Sequence, residues 1–169
     1  LYKYYVRYPK EYPAAWEYGF KELVVYTESV KNKYPKIWVT DKYDQPYIMF
    51  LFYSRYDPKS FQENHKLTFR DKFNFSTVRD YDKFHFENTP GEKVKDLHNS
   101  LIIAAPEDIS DKGANVIKTI NFPNGLPAFK IVSNWYEENL TISSPRYLQR
   151  RTEYRQMSGF SLGVGRWNN

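Results

Sequence analysis

The sequence predicts an α/β domain, a mixed β-sheet with flanking helices, and three observations carry that reading. Between residues 14 and 54 a helix-period stretch, a short β-branched strand and a second apolar run follow one another. "LIIAA", Leu101 to Ala105, is a continuous apolar run of the length a fully buried strand requires. Near residues 115–133, "NVIKTINFPNGLPAFKIV" sets Asn124-Gly125 between two β-type runs, a strong hairpin signal.

The elements follow in chain order. From Ala14 to about Asn32, Trp16, Phe20, Leu23, Val24 and Val30 recur at offsets of three and four and make one apolar stripe. Pro13 suits the first turn of that helix and Tyr34-Pro35 its end. Gly19, inside the predicted helix, would cost roughly 1 kcal/mol relative to Ala, which suggests a close approach to a neighbouring element. "KIWVT", Lys36 to Thr40, reads as a short buried strand, and Asp44-Gln45 before Pro46 opens a second helix. "YIMFLFYS", residues 47–54, is apolar on nearly every side, so it is expected as a core helix covered on nearly every side. Asp57-Pro58 closes it and caps a further helical turn through "KSFQEN".

From Leu67 to Glu87 the period becomes two. Leu67 and Phe69, Phe73 and Phe75, and Phe84 and Phe86 predict half-buried strands, with turns at Asp71-Lys72 and Asp80 to Asp82. "NTPGEKVKD" reads as loop. Beyond Val132 no period is sustained, and residues 134–169 are expected to be peripheral or weakly packed. The whole predicts a Rossmann-like layered domain over residues 14–133 behind an aromatic, basic arm of residues 1–13.

Composition narrows the function. The 169 residues suit one domain and are 41% hydrophobic, with 16 Tyr, 12 Phe and 4 Trp, so a few large rings carry much of the buried area. A net charge of +5 permits an anionic partner, but the cations are spread along the chain and Arg150-Arg151 is their one adjacent Arg pair. Nucleic-acid binding, which concentrates charge on one face, therefore ranks last. The absence of cysteine excludes a disulfide scaffold, a thiolate metal site and a Cys nucleophile. No apolar run approaches the roughly 18 residues of a spanning helix.

In the arm, Tyr2, Tyr4, Tyr5 and Tyr8 alternate with Lys3 and Arg7, a composition suited to a membrane–water boundary or to a tethered surface segment. His65, His85 and His98 stand at no recognisable metal spacing, so no metal or cofactor is expected. No phosphate-binding loop, dinucleotide fingerprint or nucleophile elbow is present. The most suggestive acid is Asp41, at the carboxyl edge of the first strand, where open α/β sheets tend to bind ligands. With Tyr43, Asp44 and Tyr47 it could hold a sugar or a phosphate-bearing headgroup. The structural alternative is that Asp41 and Asp44 hold the turn and cap the second helix. Asn74-Phe75-Ser76 and Asn139-Leu140-Thr141 match the N-glycosylation pattern, a frequency chance supplies.

"YYVRYPKEYPAAWEYGFKELVVY", "IWVTDKYDQPYIMFLFY", "YDPKSFQ" and "VIKTINFPNGLPAFKIV" together resemble the C-terminal extracytoplasmic domain of prokaryotic multi-spanning glycosyltransferases. These are of the dolichyl-phosphate-mannose–protein mannosyltransferase-like group. The resemblance runs from about Tyr2 to Val132 and is carried most by Trp16 to Gly19, Thr40 to Tyr47 and the final hairpin. It implies a chain that follows a last membrane helix, in keeping with Leu1 standing where a start would have Met. It implies polyprenyl-phosphate-linked sugars as donors for the parent enzyme, and catalytic acids in a loop between early membrane helices, outside these residues. No catalytic residue carries over. The expected role is non-catalytic: positioning donor or acceptor beside the upstream membrane region, at the extracytoplasmic surface of a prokaryotic cell membrane. A stand-alone glycan- or polyanion-binding module is the alternative. A soluble hydrolase or transferase built on Asp41 is a weaker third.

Overall fold

A seven-stranded mixed sheet organises the chain, in the order β2-β3-β4-β1-β5-β7-β6. The structure, a computed structural model, describes residues 1–88, 91–94, 96–110 and 114–134. The tail expected over residues 134–169 lies outside them beyond Asn134.

The chain begins as a π-helical turn, Lys3–Arg7, that runs into α1 (Tyr8–Glu11). A 3₁₀ turn, Ala14–Trp16, precedes α2 (Phe20–Val30). The helix predicted from Ala14 thus starts six residues late. Glu17 and Gly19 both take positive φ, 53° and 96°, which breaks the helical path between Trp16 and Phe20. Trp16 consequently leaves the apolar stripe and is exposed, while Phe20, Leu23 and Val24 are buried. Gly19 is therefore a junction residue, not a weak point within a helix. A Cβ there would sit 3.3 Å from Phe129 and 3.4 Å from Ile120, so the expected close approach is present.

β1 (Lys36–Val39) lies parallel to both β4 (Phe84–Phe86) and β5 (Ser100–Ala104). Between β1 and β4 the chain forms α3 (Pro46–Ser54), α4 (Pro58–Asn64), β2 (Lys66–Leu67) and β3 (Val78–Tyr81). Pro46 opens α3 as predicted, and Asp57 caps α4, its carboxylate accepting from the Ser60 N–H at 2.8 Å. Residues read as loop after β4 contain one helical turn, α5 (Gly91–Val94). β6 (Val116–Asn121) and β7 (Pro127–Asn134) close the sheet as the predicted hairpin, with Gly125 at φ 85°. The β5–β7, β6–β7, β3–β4 and β2–β3 pairs are antiparallel, so the parallel part is the central β4-β1-β5 trio.

The core lies on both faces of that trio. β5 is buried at every position: Leu101 and Ile103 join one cluster, Ile102 and Ala104 the other. The larger cluster packs Phe20, Leu23 and Val24 of α2 and Phe50 of α3 on Ile37, Phe84, Phe86 and Phe129. The smaller one sets Val94 and Ile109 on Ile102, Ala104 and Val132.

Two expectations need correction. α3 is not covered on nearly every side: Pro46 and Phe50 are buried, Met49 and Leu51 are partly so, and Ile48, Phe52 and Tyr53 face outward. A nine-residue helix lying on a sheet has one covered face whatever its composition. The period-two stretch also divides. Phe84 and Phe86 are buried, but Phe69, Phe73 and Phe75 are exposed because the β2–β3 ladder ends at Leu67 and Val78. Their alternation belongs to a hairpin arm standing beyond the sheet. The second turn falls at Asp82-Lys83, since Asp80 and Tyr81 still pair with β4.

Candidate functional site

Strand directions fix which loops meet. The carboxyl ends of β1, β4 and β5 point one way, and the antiparallel partners bring the end of β2 and the start of β3 to the same edge. The β6–β7 turn joins them, because Ala104, the last residue of β5, pairs with Lys130 near the start of β7. This is the edge at which Asp41 was expected.

The loop after β1 is held by short-range bonds. The Thr40 N–H donates to the Ile103 carbonyl (2.9 Å), and the Lys42 N–H to the Thr40 hydroxyl (3.3 Å). Lys42 Nζ meets Glu107 at 2.7 Å and Asp108 at 3.6 Å. The Glu107 contact raises the Lys42 ammonium above its ordinary range and holds Glu107 below its own. Tyr43 turns inward: its ring lies 5.0 Å from Phe129, and its hydroxyl donates to the Ala128 carbonyl at 2.9 Å. Burial pushes that hydroxyl up.

Asp41 and Asp44 stay exposed on the turn, and Asp44 has φ 60°. Burial raises the Glu17 carboxyl, and the nearby Asp44 charge adds to it. Neither aspartate caps α3; the cap residue is Gln45, with no side-chain bond to the helix. Tyr47 packs edge-on to Phe86 and donates its hydroxyl to Gln45 at 3.0 Å. The four residues therefore separate by role. Tyr43 and Tyr47 serve packing, and the two acids face solvent on a turn.

The arm residues do come together. Tyr4 contacts Tyr5 and Trp16 edge-on, both at 5.0 Å, and Tyr8 contacts Tyr12 at 5.8 Å. Arg7 pairs with Glu11 at 3.2 Å across an exposed helical turn. No residue of Lys3–Glu11 is buried, and Tyr2, Tyr4, Tyr5 and Tyr8 are all exposed. The Asn124 amide donates to the Lys10 carbonyl at 3.2 Å, which ties this helix to the β6–β7 turn. Beside it, Tyr18, Lys21, Glu22, Asn121 and Phe122 line a shallow groove of about 470 Å³.

A polar cluster on the other sheet face escaped the sequence reading. Buried His85 places Nδ1 2.6 Å from Asp80 and Nε2 3.0 Å from Glu87, and Arg79 meets the same Glu87 oxygen at 3.0 Å. Trp38 covers the imidazole at 4.2 Å and carries Lys36 Nζ at 4.4 Å from its own ring. The signal was available: His85 alternates with Phe84 and Phe86, so it had to point away from their core. Both ring nitrogens are engaged, so the cluster reads as a cross-strand clamp between β3 and β4. Among the described residues no group of acids and histidines could hold a metal ion, and no helix is long and apolar enough to cross a membrane. No family model, curated protein or solved structure matches the chain.

Proposed function

We propose that the chain is an extracytoplasmic, non-catalytic domain of a membrane glycosyltransferase that uses polyprenyl-phosphate-linked sugars. In this reading its N-terminal helix lies at the membrane boundary, and the domain positions donor or acceptor for the parent enzyme. The supporting observation is the helical run Lys3–Glu11, which buries none of its residues yet displays ring after ring. So short a helix is marginal in water unless packing stabilises it. Tyrosines beside Lys3, Arg7 and Lys10 suit an interface where the ring body sits in acyl chains and the hydroxyl stays hydrated. The sugar chemistry comes from the sequence resemblance.

The test compares the 169-residue chain with membranes containing the parent enzyme, both supplied with a radiolabelled polyprenyl-phosphate sugar. Transfer is expected from the membranes and none from the chain alone; turnover by the chain alone overturns the proposal. The groove lined by the rings Tyr18 and Phe122 together with polar Asn121 and Glu22 favours a second reading as a glycan-binding module. Glycan titration followed by tryptophan fluorescence separates the two: saturation supports the module, and a flat response at millimolar sugar removes it.

A further inference from the structure

We propose that the tip of the β2–β3 hairpin, residues 68–77, is a second membrane contact that docks on an anionic bilayer. It inserts Phe69, Phe73 and Phe75 below the headgroups. Their exposures are 96%, 67% and 72%, beside an exposed Leu67, so four large apolar side chains stand in solvent on one hairpin arm. Among the described residues β2 is an edge strand, with no described strand on its outer side.

Hydrogen bonds within the arm hold the backbone that carries these rings. The Thr68 N–H donates to the Thr77 carbonyl (2.8 Å) and the Thr77 N–H to the Thr68 hydroxyl (3.0 Å). At the tip the Asp71 N–H donates to the Phe75 carbonyl (2.9 Å), and the Asn74 N–H returns to the Asp71 carbonyl (3.0 Å). Asp71 Oδ1 accepts from the N–H groups of both Phe73 (2.8 Å) and Phe75 (2.9 Å). Asn74, at φ 68°, takes the left-handed turn position its side chain tolerates. These bonds matter for the environment proposed. A loop entering a bilayer must bring few unsatisfied N–H groups with it, and those of Phe73, Asn74 and Phe75 are all satisfied internally.

Charge selects the surface. Residues 66–77 carry Lys66, Arg70 and Lys72 against a single carboxylate, Asp71, which is engaged by backbone donors. Lys72 Nζ stands 4.9 Å over the Phe73 ring, which pairs a cation with one of the exposed rings. Cations interleaved with exposed rings suit a surface that offers lipid phosphates next to acyl chains. The hairpin also leaves the same end of the sheet as the β6–β7 turn that holds the N-terminal helix, from the opposite edge strand. The two elements thus make separate contacts, and this one stands without the sugar chemistry proposed above.

The test uses the 169-residue chain and vesicles of phosphatidylcholine with or without phosphatidylglycerol. Phe69→Ser, Phe73→Ser and Phe75→Ser combined are expected to weaken sedimentation with the anionic vesicles by roughly tenfold or more, with thermal unfolding unchanged. Changing Lys66, Arg70 and Lys72 to Gln is expected to erase the preference for anionic lipid. Because the chain has no cysteine, Phe73→Cys accepts a single environment-sensitive fluorophore. Its emission is expected to shift blue on anionic vesicles and to be quenched by nitroxide-labelled lipid. An unshifted probe, or triple-Ser binding equal to wild type, overturns the proposal. Loss of binding only on changing Tyr2, Tyr4, Tyr5 and Tyr8 to Ser also overturns it, while leaving the N-terminal contact intact.

Discussion

Phe50 and Phe52 are the same side chain two residues apart on one helix, and the structure gives them opposite energetic weight. Phe50 is 0% exposed, with ring centroids 5.0 Å from Phe84 and 5.9 Å from Phe86. Phe52 is 71% exposed, and its ring contact is with its own neighbour Tyr53 at 5.1 Å. Truncating a buried phenylalanine to alanine removes its transfer energy and leaves a cavity, about 3–5 kcal/mol together. Truncating an exposed one changes stability by about 0.5 kcal/mol or less. Against a total of roughly 5–15 kcal/mol, Phe50→Ala should be severely weakened and Phe52→Ala scarcely altered. Urea unfolding of both variants, followed by far-UV circular dichroism, gives the comparison directly. A midpoint lowered by more than about 1 M for Phe50→Ala alone is expected at m-values of about 1–3 kcal/mol/M. Equal losses would mean that both sides of α3 are covered and would refute the one-faced packing described here.

Gly19→Ala should destabilise by about 1–3 kcal/mol, because φ is 96° and the new Cβ would press on Phe129 at 3.3 Å. Thermal unfolding reads this, and an unchanged midpoint would remove the junction role. The hydrogen bond with His85, with Arg79 nearby, holds the Glu87 carboxyl below its ordinary range. A depressed carboxylate contributes stability above its unfolded-state pKa and loses it as pH falls through the folded value. Glu87→Gln should therefore flatten the decline of urea midpoints below about pH 4.3, and parallel wild-type and variant curves would count against the clamp.

Sequence pattern located elements well where the local code and the packing agreed. Pro46 after Gln45, Asp57 before Pro58 and Asn124-Gly125 each specify a backbone event within a few residues, and each stands where it was read. The apolar run Leu101 to Ala105 identified a strand of the central trio because burial on both faces leaves no polar alternation. The α2 start was missed because Trp16 falls on the right helical phase but is separated from Phe20 by two positive-φ residues. Phase is blind to such a break. Gly19 signalled it, and helical periodicity outvoted the glycine.

The candidate site was less legible for a different reason. Hydrophobicity states that a ring gains by leaving water; it does not say what the ring leaves water for. Tyr43 and Tyr47 read as ligand-stacking rings beside Asp41, and the fold packs them against Phe129, Ala128 and Phe86, contacts the sequence did not announce. Phe69, Phe73 and Phe75 read as the covered side of half-buried strands, yet among the described residues β2 stands at an edge with its hairpin beyond the ladder. Only the three-dimensional pairing distinguishes these cases, since both set large rings among polar residues. An exposed ring whose own hairpin is internally hydrogen-bonded is no by-product of loose packing. The bonds of Asp71 to Phe73 and Phe75 fix the tip without any help from the core. A tip bonded within itself, with three rings exposed, is what the proposed bilayer contact requires.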